Sequence, residues 1–281
     1  MENNDNSPLP AWLTASWQRL WVINGDKGPP KNTVNVRNIQ TPSLFGDCRI
    51  PKDRPRFPEA KSLSDLTDEQ LTTLYPQEGF SGYTTVDGYI VTWHHEIGYQ
   101  PPDGSVDIGR FELLGGRNAL EHGVQASYLE HWWRLEEPGG DFFGVKVMRE
   151  TGQRQRVHEI LSVSGDHFIY ARNRAFDLPM ANSMAELIHK KGYNREQILA
   201  ALDCEVSHGF VLGGRCPWEV QFSTLPFREQ KPLPFASQID VDPASGACRP
   251  RAPEPGLVWS FPVNTLDIED LLVLFPQGER T

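Results

Sequence analysis

The chain has 281 residues, 38% of them hydrophobic and 10% aromatic, enough to bury a substantial core. Its net charge is −10 with no basic block, so nucleic acid and anionic membranes are poor partners, because both demand clustered Lys and Arg. No apolar run approaches the ~18 residues of a membrane span, the polar start Met1–Asn6 lacks the regions of a secretion signal, and the four cysteines form no CxxC pair. The expectation is a cytoplasmic protein with reduced thiols.

Residues 1–11 read as a disordered tail. Trp12 to Ile23 alternates, with Trp17, Arg19, Trp21 and Ile23 on one face, and Asn24-Gly25-Asp26 marks a turn. Thr33–Ile39 and Phe45–Ile50 follow as strands, the second halted by Pro51. Ser64–Tyr75 reads as a helix with Ser64 as cap and a leucine stripe. Phe80–Val86 and Tyr89–Ile97 flank Asp87-Gly88, a strong hairpin signal. Further strands are expected at 108–114, 119–125, 127–135, 143–149, 157–163 and 167–172, separated by Gly-containing turns. Ser183–Lys191 and Asn194–Leu202 read as helices, the first stopped by Gly192 and the second opened by Asn194 with Gln197. Strands return at 210–212, 218–222 and 257–261, a Pro-rich connection occupies 226–256, and the apolar segment Leu271–Phe275 is expected to cross the barrel end. The whole is mainly β: an antiparallel β-barrel over residues 12–281 as a single domain, with a few peripheral helices including an insertion at about 177–205.

The chemistry lies on the strand faces. In Tyr128-Leu129-Glu130-His131-Trp132-Trp133-Arg134, period two puts Tyr128, Glu130, Trp132 and Arg134 together. An apolar face punctuated by an acid and a base suits a ligand cavity better than a plain core. On the fifth strand Tyr89, Val91, Trp93, His95 and Ile97 are expected inward, and on the first Arg19 lies between Trp17 and Trp21. Asp47 and Arg49 share a face of the third strand, either as a rim ion pair or as two groups at a cavity mouth. The catalytic candidates are Arg19, Asp47, Arg49, His95, Glu130 and Arg134. The substrate-binding candidates are Trp17, Gln40, Trp93, Tyr128, Trp132 and Tyr170. A purely structural alternative is a buried Arg–Glu pair bracing a filled barrel.

No metal site is expected. His94 and His95 point to opposite faces, as do Glu130 and His131, and there is no HxH or HExxH. The absence of GxGxxG, Walker and GxSxG patterns points away from nucleotide cofactors and serine hydrolysis, so no cofactor is expected.

With these strands, its Trp12–Trp21 opening and the Asp47-Arg49-Ile50-Pro51 segment, the chain resembles calycin-type barrels, the lipocalin-like group. It is similar in scale to cytosolic lipocalin-like proteins of bacteria and fungi, and to fungal calycin-like pericyclases, including hetero-Diels–Alderases. The resemblance implies a barrel enzyme of specialised metabolism that cyclises, isomerises or adds to a small, hydrophobic, oxygenated molecule without a cofactor. Such a reaction needs a snug aromatic cavity and a few donors. A non-catalytic carrier, or an interaction protein acting through its surface, is the alternative; dimerisation through an exposed barrel face is compatible with each.

Overall fold

The computed structural model describes residues 9–25, 28–137, 140–152 and 154–276. The expected tail lies mostly outside these residues; of it, only residues 9–11 are described. Eight antiparallel strands close into a barrel: β1 (Ala15–Asn24), β2 (Val34–Gln40), β3 (Phe45–Pro51), β4 (Glu78–Asp87), β5 (Ile90–Gly98), β6 (Asp107–Gly115), β7 (Asn118–Gly123) and β8 (Tyr128–Arg134). Each pairs with the next, and β8 returns to β1. The architecture is compatible with a calycin-like or lipocalin-like fold. Closure removes both sheet edges and leaves one inward set of side chains at period two.

The barrel is complete at Arg134, so the later strands do not extend it. They form a second, six-stranded sheet in the order β13-β12-β11-β10-β9-β16, from β9 (Phe142–Thr151), β10 (Arg154–Ser164), β11 (His167–Arg172), β12 (Glu205–Phe210), β13 (Glu219–Ser223) and β16 (Leu257–Asn264). A small hairpin, β14 (Ile239–Val241) with β15 (Cys248–Pro250), interrupts the Pro-rich connection. Strand β12 starts five residues before the expected Phe210. Its Glu205, Ser207 and His208 disguise a strand that is buried between neighbours on both sides.

One face of the second sheet packs on the outside of β2–β4. Ile39, Cys48 and Ile50 of the barrel meet Ile160, Ile169, Ala171 and Val206 in a shared apolar core. Two glycines let the layers approach. A Cβ on Gly46 would stand 2.5 Å from Ile169 Cγ2, and one on Gly79 2.8 Å from Val206 Cβ. Gly46→Ala is therefore expected to destabilise the protein by about 1–3 kcal/mol through overpacking; an unchanged midpoint in urea denaturation would contradict the tight seam. The opposite face of the sheet is covered by α4 (Ile268–Leu274), whose Leu271 and Leu274 join Phe143, Phe168 and Trp218 with Phe275. The last apolar segment thus lies against the second sheet and not across the barrel end.

The helices α2 (Met184–Lys191) and α3 (Arg195–Leu202) form where expected. Ser183 caps the first, Gly192 at φ 61° ends it, and Asn194 with Gln197 builds a reciprocal cap on the second. The expected helix 64–75 is instead a single turn at Leu63–Asp65 followed by α1 (Asp68–Thr72). Thr67 captures the Gln70 amide while the Gln70 side chain accepts from Thr67 N–H, which restarts the helix and breaks the long one. No helix among the described residues is long and apolar enough to cross a membrane.

Candidate functional site

The barrel interior has an apolar end and a polar end. Ala15, Trp17, Val36, Phe45, Val91, Trp93, Phe111, Ala119 and Trp132 fill the middle and the first end. That end is covered by the turn before β1: Leu13 sits in the core, and the Trp12 ring lies 5.5 Å from both Tyr89 and Phe111. At the other end the inward positions carry Arg19, Asn38, Asp47, Arg49, Phe80, His95, Asp107, Glu121, Tyr128 and Glu130. Solvent reaches this end, where the His95 and Asp107 side chains are about one third exposed.

Two strand irregularities decide who belongs there. An extra residue in β1, Leu20, shifts the register between Arg19 and Trp21. Arg19 faces inward, but Trp21 turns outward, its ring tilted against His131 at 5.2 Å. An extra residue in β5, Glu96, sits between His95 and Ile97. His95 stays inside while Ile97 joins the core shared with the second sheet. The expected inward faces of β1 and β5 are corrected at those two points, because one inserted residue reverses every side chain beyond it.

The charged groups are matched almost completely. Arg19 ion-pairs with Glu130. Arg49 Nε donates to Asp47 Oδ1 at 2.7 Å, Asn38 donates to the other oxygen of Asp47 at 3.3 Å, and Glu78 lies 3.8 Å from the guanidinium. Burial works against the charge on Arg49, but Asp47, Glu130 and Glu78 outweigh it and hold its pKa above the ordinary value. His95 Nε2 meets Asp107 Oδ2 at 2.8 Å, and the imidazole stacks on Phe80 at 4.0 Å. Arg49 also lies over the Phe80 ring, 5.1 Å from its centroid.

Glu121 is the exception. It is 4% exposed, and among the described residues no cation is paired with it. Its oxygens accept from Tyr128 Oη at 2.6 Å and Trp132 Nε1 at 2.9 Å, both neutral donors. In the β7–β8 ladder it stands directly opposite Glu130. Burial raises its pKa first, the Glu130 charge raises it further against the Tyr128 hydrogen bond, and the value is pushed up to about 8. Glu130 is also raised by burial, but the Arg49 and Arg19 charges oppose the shift. Of two facing carboxyls, the one without an arginine keeps the proton. The phenol of Tyr128 is raised as well, by burial and then by Glu121.

The space between these groups and the aromatic middle is about 380 Å³, bounded by Trp17, Trp93, Phe111, Trp132 and the acids Asp47, Asp107 and Glu121. Only about 20 Å³ of it admits the centre of a water molecule. Trp93 Nε1 is buried on this wall with no hydrogen-bond partner among the described residues.

The sequence-derived candidates therefore separate into three groups. Arg19, Asp47, Arg49, His95, Tyr128 and Glu130 gather at the polar end, with Trp17, Trp93 and Trp132 behind them. Gln40 and Arg134 are inside the barrel but nearer the covered end: Gln40 accepts from Thr84 Oγ1 at 2.8 Å, and Arg134 lies over Trp17 and donates to the Trp12 carbonyl. Tyr170 is not in the barrel. It lies on the far face of the second sheet, bonded to Glu159 at 2.8 Å and packed on Phe235. Sequence reasoning missed Glu121 and Asp107. The alternation Ala119-Glu121-Gly123 and Asp107-Gly109-Phe111 was the available signal, and the small Gly109 makes room: a Cβ there would lie 2.6 Å from the Glu121 carboxylate.

Among the described residues no three His, Cys, Asp or Glu side chains converge as a metal site. What the arrangement offers is a protonated acid, an ionised acid, two arginines and an imidazole–carboxylate pair around an aromatic cavity. No family model matches the chain, and no curated protein or solved structure matches it.

Proposed function

We propose that the barrel is a small-molecule enzyme that uses Glu121 as a general acid on a largely apolar, oxygenated substrate. The observation that carries it is Glu121, the barrel-lining carboxyl that has no cation paired with it among the described residues, held near pKa 8 and aimed between two neutral donors at an aromatic cavity. A strongly perturbed acid in a cleft is a functional candidate, and pKa values near the working pH suit proton transfer. A substrate carbonyl or hydroxyl would take the Glu121 proton or the free Trp93 N–H, with Arg19 and Arg49 supporting negative charge that develops on oxygen. Glu130, or His95 held by Asp107, would accept the proton released elsewhere. Cyclisation, isomerisation and addition all fit this set. A pericyclic step, as in the calycin-like pericyclases the sequence resembles, additionally needs reacting atoms held close, which the Trp17, Trp93 and Trp132 rings support. Because the interior leaves room for about one water, substrate entry must displace aromatic side chains.

The test is native mass spectrometry of protein purified from cells that make it, followed by return of any released compound to wild type and Glu121→Gln. The expected result is a bound small molecule that wild type converts and the variant leaves unchanged. The rate kcat/KM should fall as pH rises through about 8, where the acid loses its proton. Release of the same unconverted mass from both proteins would make the barrel a carrier. A barrel that never holds a ligand would shift function to the surface.

A further inference from the structure

The covered end of the barrel carries a second feature that the acid-lined cavity does not use. Arg134 closes β8 and is only 6% exposed. Its guanidinium lies 4.8 Å above the Trp17 ring and donates to the Trp12 carbonyl at 2.5 Å. Its Nε is buried and has no hydrogen-bond partner among the described residues. Among the described residues no carboxylate pairs with it. The acid whose charge bears on it, Glu137, is engaged by Arg117 at 2.6 Å, and Arg117 itself repels Arg134. A buried cation without an anion is costly, and proteins normally match one with the other. Arg19 and Arg49, the other arginines lining the barrel interior, each have their acid.

Beside this cation lies a recess in which about 320 Å³ admits the centre of a water molecule, against about 20 Å³ in the barrel interior. Arg134 lines it together with Trp12, Trp17, Leu113, Gly115 and Gly116. Its walls are mostly apolar. The two glycines, at φ 88° and 57°, turn the β6–β7 hairpin, and a Cβ at either would meet nothing within 4 Å, so the hairpin leaves the recess open. Leu113 is 39% exposed there, on the same strand face as Phe111. Trp17 lies between the two spaces and lines both.

We propose that this recess is a second ligand site, built for a small amphiphilic carboxylate whose anionic head pairs with Arg134 and whose apolar body lies on Trp12, Trp17 and Leu113. Guanidinium and carboxylate match in geometry, and the missing counter-charge is supplied by the ligand. The apolar body removes the Trp12 and Leu113 surfaces from water. The site lies at the opposite end of the barrel from Glu121 and does not depend on the chemistry proposed there.

The experiment is calorimetric titration of the full chain with 4-phenylbutyrate and with its neutral counterpart 4-phenylbutan-1-ol, while following the Trp12 and Trp17 indole N–H signals by NMR. The carboxylate should bind at one equivalent and shift both indoles, and the alcohol should bind at least tenfold more weakly. Leu113→Glu places a carboxylate in the recess and should reduce binding of the acid at least tenfold. It keeps the test sound because Arg134→Gln, expected to act likewise, also removes packing on Trp17. Glu121→Gln should leave the affinity unchanged. Equal binding of acid and alcohol, insensitivity to Leu113→Glu, or no binding at millimolar probe would each overturn the proposal.

Discussion

Glu121→Gln is expected to be more stable than wild type, by a margin that grows as pH rises from 5 to 9. The folded protein holds the Glu121 proton up to about pH 8, whereas the unfolded chain releases it near the ordinary value of 4.5. Between those values the native state binds more protons, so stability falls with rising pH. Below 4.5 both states are neutral and the group contributes nothing; above about 8 the full penalty is present. Each unit of separation is worth about 1.4 kcal/mol, so the penalty reaches several kcal/mol across the window. Glutamine removes the charge and keeps the pairing: its carbonyl can accept from Trp132 and its amide can donate to the Tyr128 oxygen. The check is the melting temperature of both proteins at matched ionic strength. A difference that stays flat from pH 5 to 9 would mean that Glu121 is ionised throughout.

Arg19→Met is expected to cost about 3–5 kcal/mol at neutral pH, the range for removing one partner of a buried pair. Arg19 and Glu130 are both almost fully buried, with side chains 10% and 5% exposed. Without Arg19, Glu130 loses its hydrogen-bonded partner, keeps only the more distant Arg49 charge, and must either stay charged beside Glu121 or take up a proton. The loss should therefore shrink as pH falls and Glu130 becomes neutral. Arg19→Met combined with Glu130→Leu should recover most of the stability, since well-packed apolar replacements of such pairs are often neutral or better. Denaturant titrations of the two singles and the double would show it. Equal losses in Arg19→Met and the double variant would mean that packing around Arg19, and not its charge, dominates.

The strand content and antiparallel order were legible because alternation and turn chemistry are local. Asp87-Gly88 fixes a hairpin, and the β8 run shows its inward set of Tyr128, Glu130, Trp132 and Arg134 directly. Helices α2 and α3 were legible from their caps. Bulges were not: Leu20 and Glu96 look like ordinary strand residues, yet each reverses the facing of every later residue in its strand. A barrel was legible, but the point at which it closes was hidden, because the pairing of β8 with β1 joins residues more than a hundred positions apart. The strands after Arg134 carry the same kind of pattern, and only their partners show that they belong to another sheet. Glu121 was overlooked for a related reason. An acid between Ala119 and Gly123 resembles a solvated edge until Gly109 and Trp132 are seen beside it.

The glycine seam has a mechanical consequence. Strands β2, β3 and the start of β4 are pinned on their outer side by the second sheet, through Gly46 on Ile169 and Gly79 on Val206. Among the described residues strands β6, β7 and β8 have no such backing, and Leu114 on β6 and Val124 just after β7 stand exposed. The cylinder is therefore unevenly compliant, rigid along one side and springy along the other. Its nearly filled bore can widen only by yielding on the springy side, and that side carries Glu121, Tyr128, Glu130 and Trp132. Asp47 and Arg49 ride on the rigid wall. Any guest would thus be pressed by a moving acid against a fixed ion pair.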